Sequence, residues 1–176
     1  MLDKINLKNI MLKEEYKQEV PPLKQKMGEL QQLFKQAKVP VIVLFEGWGA
    51  SGKGSLMSDV ILTMDPRGFH VESTTPPTED ERRHPYLWRF WKKLPARGTM
   101  GLFDRGWYQE VAFPSHALHL DQNEARDRLE SIKIFERQLH DDGYLILKFF
   151  LHIGQKEQKK RFDKLLCSKD TAWRVN

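Results

Sequence analysis

The amino-acid sequence predicts an α/β fold in which a central, mostly parallel sheet lies between two layers of helices. Four short apolar segments, typical of buried strands, alternate with segments whose apolar residues recur at helical spacing. The first apolar segment, 39–45, is followed at once by a glycine-rich turn and a helical segment. Parallel strands are connected through helices in this way. We therefore expect a three-layer α/β/α arrangement.

Length and composition are those of an ordinary globular domain. The chain has 176 residues, a net charge of +5 and one cysteine, Cys167. No apolar run reaches the roughly 18 residues of a membrane span, and residues 1–6 lack the apolar core of a secretory signal. Because one cysteine suits a reducing cytosol, we expect a cytoplasmic protein without a membrane partner. The positive charge favours the binding of polyanions, which could be nucleic acid, nucleotides or inorganic phosphate chains.

The chain is expected to divide after residue 38. Residues 1–38 are predicted to be an N-terminal arm and an amphipathic helix that packs on the core, because apolar residues recur three and four positions apart between 23 and 34. Pro21 and Pro22 are expected to mark the start of this helix, since proline fits the first turn better than the interior. Residues 39–176 form the second unit, which contains all the strands.

Secondary structure in the second unit follows from periodicity and turn residues. Strands are expected at 39–45, 69–74, 99–103 and 144–151, and helices at 55–64, 121–142 and 155–166. Thr78 and Glu81 have the spacing of a capping box. Between 81 and 97, basic and aromatic residues are interleaved. This mixture is compatible with stacking on nucleic acid, but we favour an amphipathic helix with buried aromatic side chains and cations lining an anion cleft.

The glycine-rich turn has the pattern of a phosphate-binding loop. Residues 47–53 match G-x-x-x-x-G-K, and Gly54 stands where a Ser or Thr usually follows. Glycines let successive N–H groups face one concavity, a helix N-terminus adds partial positive charge, and Lys53 would contact the outer phosphates. The alternative is an ordinary glycine-rich connection that contains a lysine. The expected phosphate-binding residues of the loop are Gly47, Gly49, Ala50, Ser51, Gly52, Gly54 and Ser55.

Asp104 and Arg105 follow the third strand, at the sheet edge where open α/β proteins bind ligands. Asp104 is the expected ligand of Mg²⁺, directly or through water, because phosphoryl transfer needs a metal near the bridging oxygens. A helix cap near Trp107 is the alternative role. Arg105 and Arg89 are expected to neutralise the transferred group, with a plain surface role left open for Arg89. Arg161 is also an expected phosphate-binding residue, and it lies in a basic segment that could cover the site as a lid or simply face solvent.

Together these motifs resemble the polyphosphate kinases of type 2. The matching stretches are F-E-G-W (45–48), G-K-G (52–54), D-P-R-G (65–68), P-T-E (77–79), P-Y-L-W-R-F-W (85–91), F-D-R (103–105), W-Y (107–108), K-F-F (148–150) and 158–162. The resemblance implies a P-loop NTPase-like kinase fold and Mg²⁺-dependent phosphoryl transfer between inorganic polyphosphate and a nucleotide, AMP or ADP, sometimes GDP. It assigns Lys53, Asp104, Arg105 and Arg89 to the active site. Segment 85–91 looks most like the branch with two fused kinase domains that phosphorylates AMP.

Three departures from the family pattern define the alternatives. Gly49 replaces a loop aspartate expected to help hold Mg²⁺, Gln109 and Glu110 replace an arginine-containing stretch, and Asn176 precedes the family's last helices and strand. A catalytically impaired homologue with a structural, dimerising or polyphosphate-binding role is therefore an alternative. An ATP-dependent nucleoside monophosphate kinase is a lesser one. The family implies a homo-oligomer or a second fused domain, and nucleic acid is not the expected partner.

Overall fold

The structure is a computed structural model that describes residues 2–7, 10–112, 120–173 and 175. Its strands are β1 (Val41–Gly47), β2 (Phe69–Ser73), β3 (Met100–Asp104) and β4 (Leu145–Leu151). They form one parallel sheet in the order β2-β3-β1-β4. The predicted parallel sheet is therefore confirmed, and each strand lies within two residues of its expected bounds.

Helices connect the strands and cover the sheet. The described residues form α1 (Lys13–Ala37), α2 (Lys53–Ile61), α3 (Glu79–Arg82), α4 (Trp88–Trp91), α5 (Gln109–Ala112), α6 (Gln122–Asp141), α7 (Gln155–Leu166) and α8 (Lys169–Ala172). The capping box of Thr78 and Glu81 begins α3 as predicted. Within the described ranges, no helix combines the length and the apolar character that crossing a bilayer requires.

Helix α1 begins earlier than the sequence predicts. It starts at Lys13 and runs through Pro21 and Pro22, which we expected to mark its first turn. Each proline removes one N–H from the helical ladder, but both residues are exposed, so water can satisfy the carbonyl groups that lose a partner. Gln31, which is 5% exposed, anchors the C-terminal half through two hydrogen bonds with the backbone of Asp65.

Two hydrophobic clusters lie on opposite faces of β1, because successive strand residues point to opposite sides. Ile42 and Leu44 pack against α6. Val41, Val43 and Phe45 pack on the other face with side chains of α2. All seven residues of β1 are buried, which confirms the predicted strand between two helical layers. β4 lies at the sheet edge, and most of its residues are exposed.

The prediction of a single amphipathic helix between residues 81 and 97 is wrong. The segment contains the end of α3 and the one-turn helix α4, separated by Pro85. Proline disfavours helical backbone at the preceding residue and lacks an N–H donor. The expectation that the aromatic side chains are buried is met in part, since Phe90 belongs to the core and Trp91 is exposed.

Candidate functional site

The loop between β1 and α2 has the backbone that a phosphate-binding turn requires. Gly47 has a φ of 134° and Gly52 a φ of 101°, values that L side chains rarely adopt. Leu56 N–H donates to Gly52 O at 3.0 Å, which closes the first turn of α2. The first N–H groups of a helix have no partner within it, and they lie at the positive end of its dipole. This terminus can therefore hold an anion.

Gly47 is also required by the neighbouring strand. It ends β1 in register with Leu151 of β4. A Cβ atom at this position would lie 2.3 Å from Leu151 O and 2.8 Å from Leu151 N. The close approach of the two backbones therefore excludes any side chain at the first glycine of the loop.

Lys53 lies against the inside of the loop. Its Nζ donates to Gly47 O and Trp48 O, each at 3.0 Å. Burial lowers the pKa of Lys53 below its usual value, and the nearby charge of Asp104 opposes this shift. An ammonium in this position can contact the oxygens of a bound phosphate chain.

Asp104 ends β3 beside the loop. It is in register with Phe45 of β1, and Arg105 N–H donates to Phe45 O at 3.0 Å. The buried Oδ1 of Asp104 has no hydrogen-bond partner among the residues that the structure describes, and Arg105 Nε lies 3.9 Å away. Helix α5 begins only at Gln109, which speaks against the alternative role of Asp104 as its cap.

A buried carboxylate oxygen that accepts no hydrogen bond from the described residues is compatible with a divalent cation at this edge. Mg²⁺ is usually held by one or two carboxylates together with substrate phosphates and water. In the described ranges no group of three or more His, Cys, Asp or Glu side chains could hold a metal. Asp104 could therefore supply one protein ligand to a Mg²⁺ ion bound together with substrate phosphates and water.

The turn after Asp104 is held by both neighbouring strands. Arg105 is in the left-handed region with a φ of 63°. Thr74 Oγ1, at the end of β2, donates to Arg105 O at 2.6 Å. Glu46 Oε1, near the end of β1, accepts a hydrogen bond from Gly106 N–H at 2.7 Å. The backbone path of the turn is thus fixed from two sides.

Glu46 is a buried acid to which the sequence pattern assigns no role. It is 7% exposed. Burial raises its pKa above the usual value, and the hydrogen bond from Gly106 and the charge of Lys53 partly oppose the shift. A carboxylate at the end of an otherwise apolar buried strand was the one clue that the sequence offered.

Helix α7, predicted at 155–166, is confirmed and lies directly on the loop. Gln158 Nε2 donates to Gly49 O at 3.1 Å. Arg161 Nη1 donates to Ala50 O and Ser51 O at 3.3 and 3.2 Å. These bonds bring Arg161 into direct contact with the loop backbone.

Arg89 is buried rather than at the surface. It is 4% exposed, its Nη2 donates to Thr75 O at 2.9 Å, and its Nε lies 3.4 Å from Glu81 Oε1. Thr75 follows β2, so Arg89 contacts the same edge of the sheet. The alternative that Arg89 is only a surface residue is therefore wrong, and its role in phosphoryl transfer stays a prediction.

A hydrogen-bonded cluster lies beneath the Asp104 turn. Glu136 on α6 accepts from Trp107 Nε1 at 3.0 Å and from Tyr108 OH at 2.8 Å, and it pairs with Lys148 at 2.8 Å. No motif or residue spacing in the sequence indicates this arrangement. Gln109 is buried close by, while the side chain of Glu110 lies outside the described part.

Comparison with known proteins agrees in sequence and in fold. Residues 11–176 match the profile of the polyphosphate kinase 2 (PPK2) family. The chain is 32% identical over 165 residues to a polyphosphate:AMP phosphotransferase of Pseudomonas aeruginosa, a match that covers 93% of this chain and 33% of the relative. It is 31% identical over 177 residues to an ADP-polyphosphate phosphotransferase of Rhodopseudomonas palustris, covering 93% of this chain and 61% of the relative.

The fold comparison covers the whole chain. The crystal structure of polyphosphate kinase 2 from Arthrobacter aurescens TC1 superposes with a TM-score of 0.91 at 29% identity, covering 100% of this chain and 65% of that protein. The chain thus spans from one third to somewhat under two thirds of the length of these relatives. Because the family match extends from residue 11 to residue 176, the chain belongs to the polyphosphate kinase 2 family.

Proposed function

We propose that this chain transfers phosphoryl groups between inorganic polyphosphate and an adenine nucleotide, AMP or ADP. The observation that carries the proposal is the register of β1 and β3, which brings Asp104 beside the phosphate loop. Relatives that match most of the chain are named as polyphosphate:AMP and ADP-polyphosphate phosphotransferases. Since the chain spans only part of those relatives, the activity is proposed for the domain that it contains.

Each predicted site residue has a proposed role in this reaction. Lys53 and the N-terminus of α2 bind phosphate oxygens, and Arg105 and Arg161 contribute further positive charge. Asp104 holds Mg²⁺, which when bound neutralises charge near the bridging oxygens. Arg89 is proposed to neutralise the transferred group, a role supported by its hydrogen bond to Thr75, two residues beyond the end of β2.

Phosphoryl transfer requires positioning and charge stabilisation more than covalent chemistry by the protein. The cations converge on one edge of the sheet, where a polyanionic chain would displace Arg161 from the loop carbonyl oxygens. Helix α7 would then lie over the bound phosphates and limit the access of water. This arrangement favours transfer to a nucleotide over hydrolysis.

We also propose where the domain acts and with what it assembles. A cytoplasmic location is proposed because the chain has a single cysteine. We also propose that residues 1–38 and 39–176 form two separate units. Leu23 and Leu33 on α1 are 58% and 57% exposed. Such apolar exposure on a long helix supports contact with a second copy or a fused domain.

The direct test is a nucleotide assay. The purified chain is incubated with polyphosphate, Mg²⁺ and either AMP or ADP, and the nucleotides are separated by chromatography. We expect phosphorylated product, and a loss of roughly 100-fold or more in Lys53→Ala because a contact to the transferred charge is removed. Lys164→Ala, an exposed lysine of α7, is the matched control. Product no greater than that of Lys53→Ala would overturn the proposal, and equal turnover with ATP as donor would favour a nucleoside monophosphate kinase.

A further inference from the structure

Glu46 lies near the end of the buried strand β1, next to the phosphate loop. It follows Ile42 and Leu44 at alternate positions of β1, which places it on the side of the sheet covered by α6. An acid in such a position is costly unless it is hydrogen-bonded. Its partner is the main-chain N–H of Gly106, in a buried contact of 2.7 Å between residues 60 positions apart.

The partner of Glu46 belongs to the turn that presents two predicted site residues. Arg105, with a φ of 63°, has a backbone conformation that non-glycine residues maintain only when their surroundings impose it. Its carbonyl oxygen accepts from Thr74 Oγ1 and its N–H donates to Phe45 O. Gly106 N–H and Arg105 O belong to one peptide unit, so Glu46 and Thr74 hold its two sides, while Phe45 O holds the unit before it.

The backbone of Gly106 lies close to side chains of β1. A Cβ atom at Gly106 would lie 2.9 Å from Leu44 Cδ2 and 3.3 Å from Glu46 Oε1. Because Gly106 has no side chain, the Glu46 carboxylate can approach its backbone N–H closely enough for a hydrogen bond. If this hydrogen bond is lost, the turn loses one of the contacts that hold it beside β1.

We propose that Glu46 is a positioning residue, whose carboxylate holds the Gly106 amide and thereby fixes the direction in which Asp104 and Arg105 face the phosphate loop. The inference rests on the proposed phosphoryl transfer. It deepens that proposal by adding a residue that touches neither substrate nor metal. Small errors of position in a site of this kind can reduce rates by up to about 100-fold.

The test compares two variants of Glu46 with a control of equal burial. Glu46→Gln keeps an acceptor for Gly106 N–H, whereas Glu46→Ala removes it. Gln31→Ala is the control, because Gln31 is similarly buried and also bonds to backbone, but at Asp65 rather than in the site. Hydrogen exchange of the Gly106 amide, followed by NMR, measures the contact without any turnover. Initial rates with polyphosphate and ADP give kcat and KM.

We expect Glu46→Ala to speed exchange at Gly106 by roughly tenfold or more and to lower kcat by roughly 10- to 100-fold, with KM for ADP changed less than about threefold. Glu46→Gln should restore slow exchange and most of kcat. Gln31→Ala should leave kcat per folded molecule unchanged, although it weakens the fold.

Three results would overturn the inference. They are unchanged exchange at Gly106 in Glu46→Ala, unchanged kcat in that variant, and exchange in Glu46→Gln as fast as in Glu46→Ala. A wild-type chain without any transfer activity would instead refute the proposed function. The exchange rates, which need no turnover, would then decide the role of Glu46 on their own.

Discussion

Gly49 lies against helix α7, where Gln158 bonds to its carbonyl oxygen, and a methyl group at this position should push the loop and the helix apart. A Cβ atom on Gly49 would lie 2.8 Å from Phe162 Cζ, whereas ordinary contact begins at 3.4 Å, so the ring must retreat by about 0.6 Å. Because the obstacle is the far end of a side chain, we expect Gly49→Ala to cost about 1–2 kcal/mol of unfolding free energy, toward the lower end of overpacking effects. The bond between Gln158 and Gly49 O should weaken with it.

Urea unfolding of four proteins tests this reasoning: the wild type, Gly49→Ala, Phe162→Leu and the double variant. In the double variant the smaller side chain should recover roughly 1 kcal/mol, a coupling typical of residues in contact. Gly54→Ala is the matched control, because a Cβ there meets nothing within 4 Å. It should gain roughly 0.5–1 kcal/mol from helix propensity alone. Gly49→Ala with wild-type stability, or two substitutions whose effects simply add, would refute the steric account.

Three further outcomes are expected. Arg161→Ala should raise KM for polyphosphate by roughly tenfold, since one charge-assisted contact is lost. The exposed Lys160→Ala should change it less than about twofold, and equal effects would indicate only general charge attraction. Glu136→Ala should lower the unfolding free energy by about 2–3 kcal/mol, because it leaves Trp107 Nε1 and Tyr108 OH without their acceptor. The exposed Glu130→Ala on the same helix should leave the urea midpoint unchanged, and a similar loss there would contradict a specific role for Glu136. Burial raises the pKa of Glu46 above 4.5, so the stability that Glu46 contributes is complete below that pH and is lost as the pH rises through its folded value. The stability of Glu46→Gln relative to the wild type should therefore increase as the pH rises above 4.5. A stability difference that does not change with pH would contradict the raised pKa.

The strands and the loop were predictable because local sequence determines them. Residues 39–45 form a continuous apolar run, which is typical of a strand that is covered on both faces of a parallel sheet. The loop needs glycines at defined positions, and Gly47 and Gly52 have the positive φ values that explain them. The close placement of Asp104 also followed from sequence, because parallel strands bring their carboxyl ends to one edge.

Other features depend on contacts between distant parts of the chain. The helix expected at 81–97 is interrupted by Pro85, a local breaker that outweighs the aromatic periodicity. The early start of α1 depends on the exposure of two prolines, which periodicity does not reveal. The contact of Glu46 with Gly106 spans 60 residues, and that of Gln158 with Gly49 spans 109. No pattern within a single segment specifies such pairs.

The absence of a side chain at Gly47 ties the phosphate loop to the geometry of the sheet. The position ends a strand and opens the loop at once, and Leu151 of β4 occupies the space that a Cβ atom would need. A loop taken from another protein can therefore replace this one only if its first residue is also glycine. Any larger residue would push β4 outward, and because α7 follows β4 in the chain, the helix that covers the loop would move as well. The spacing between two strands thus limits which loops this fold can accept.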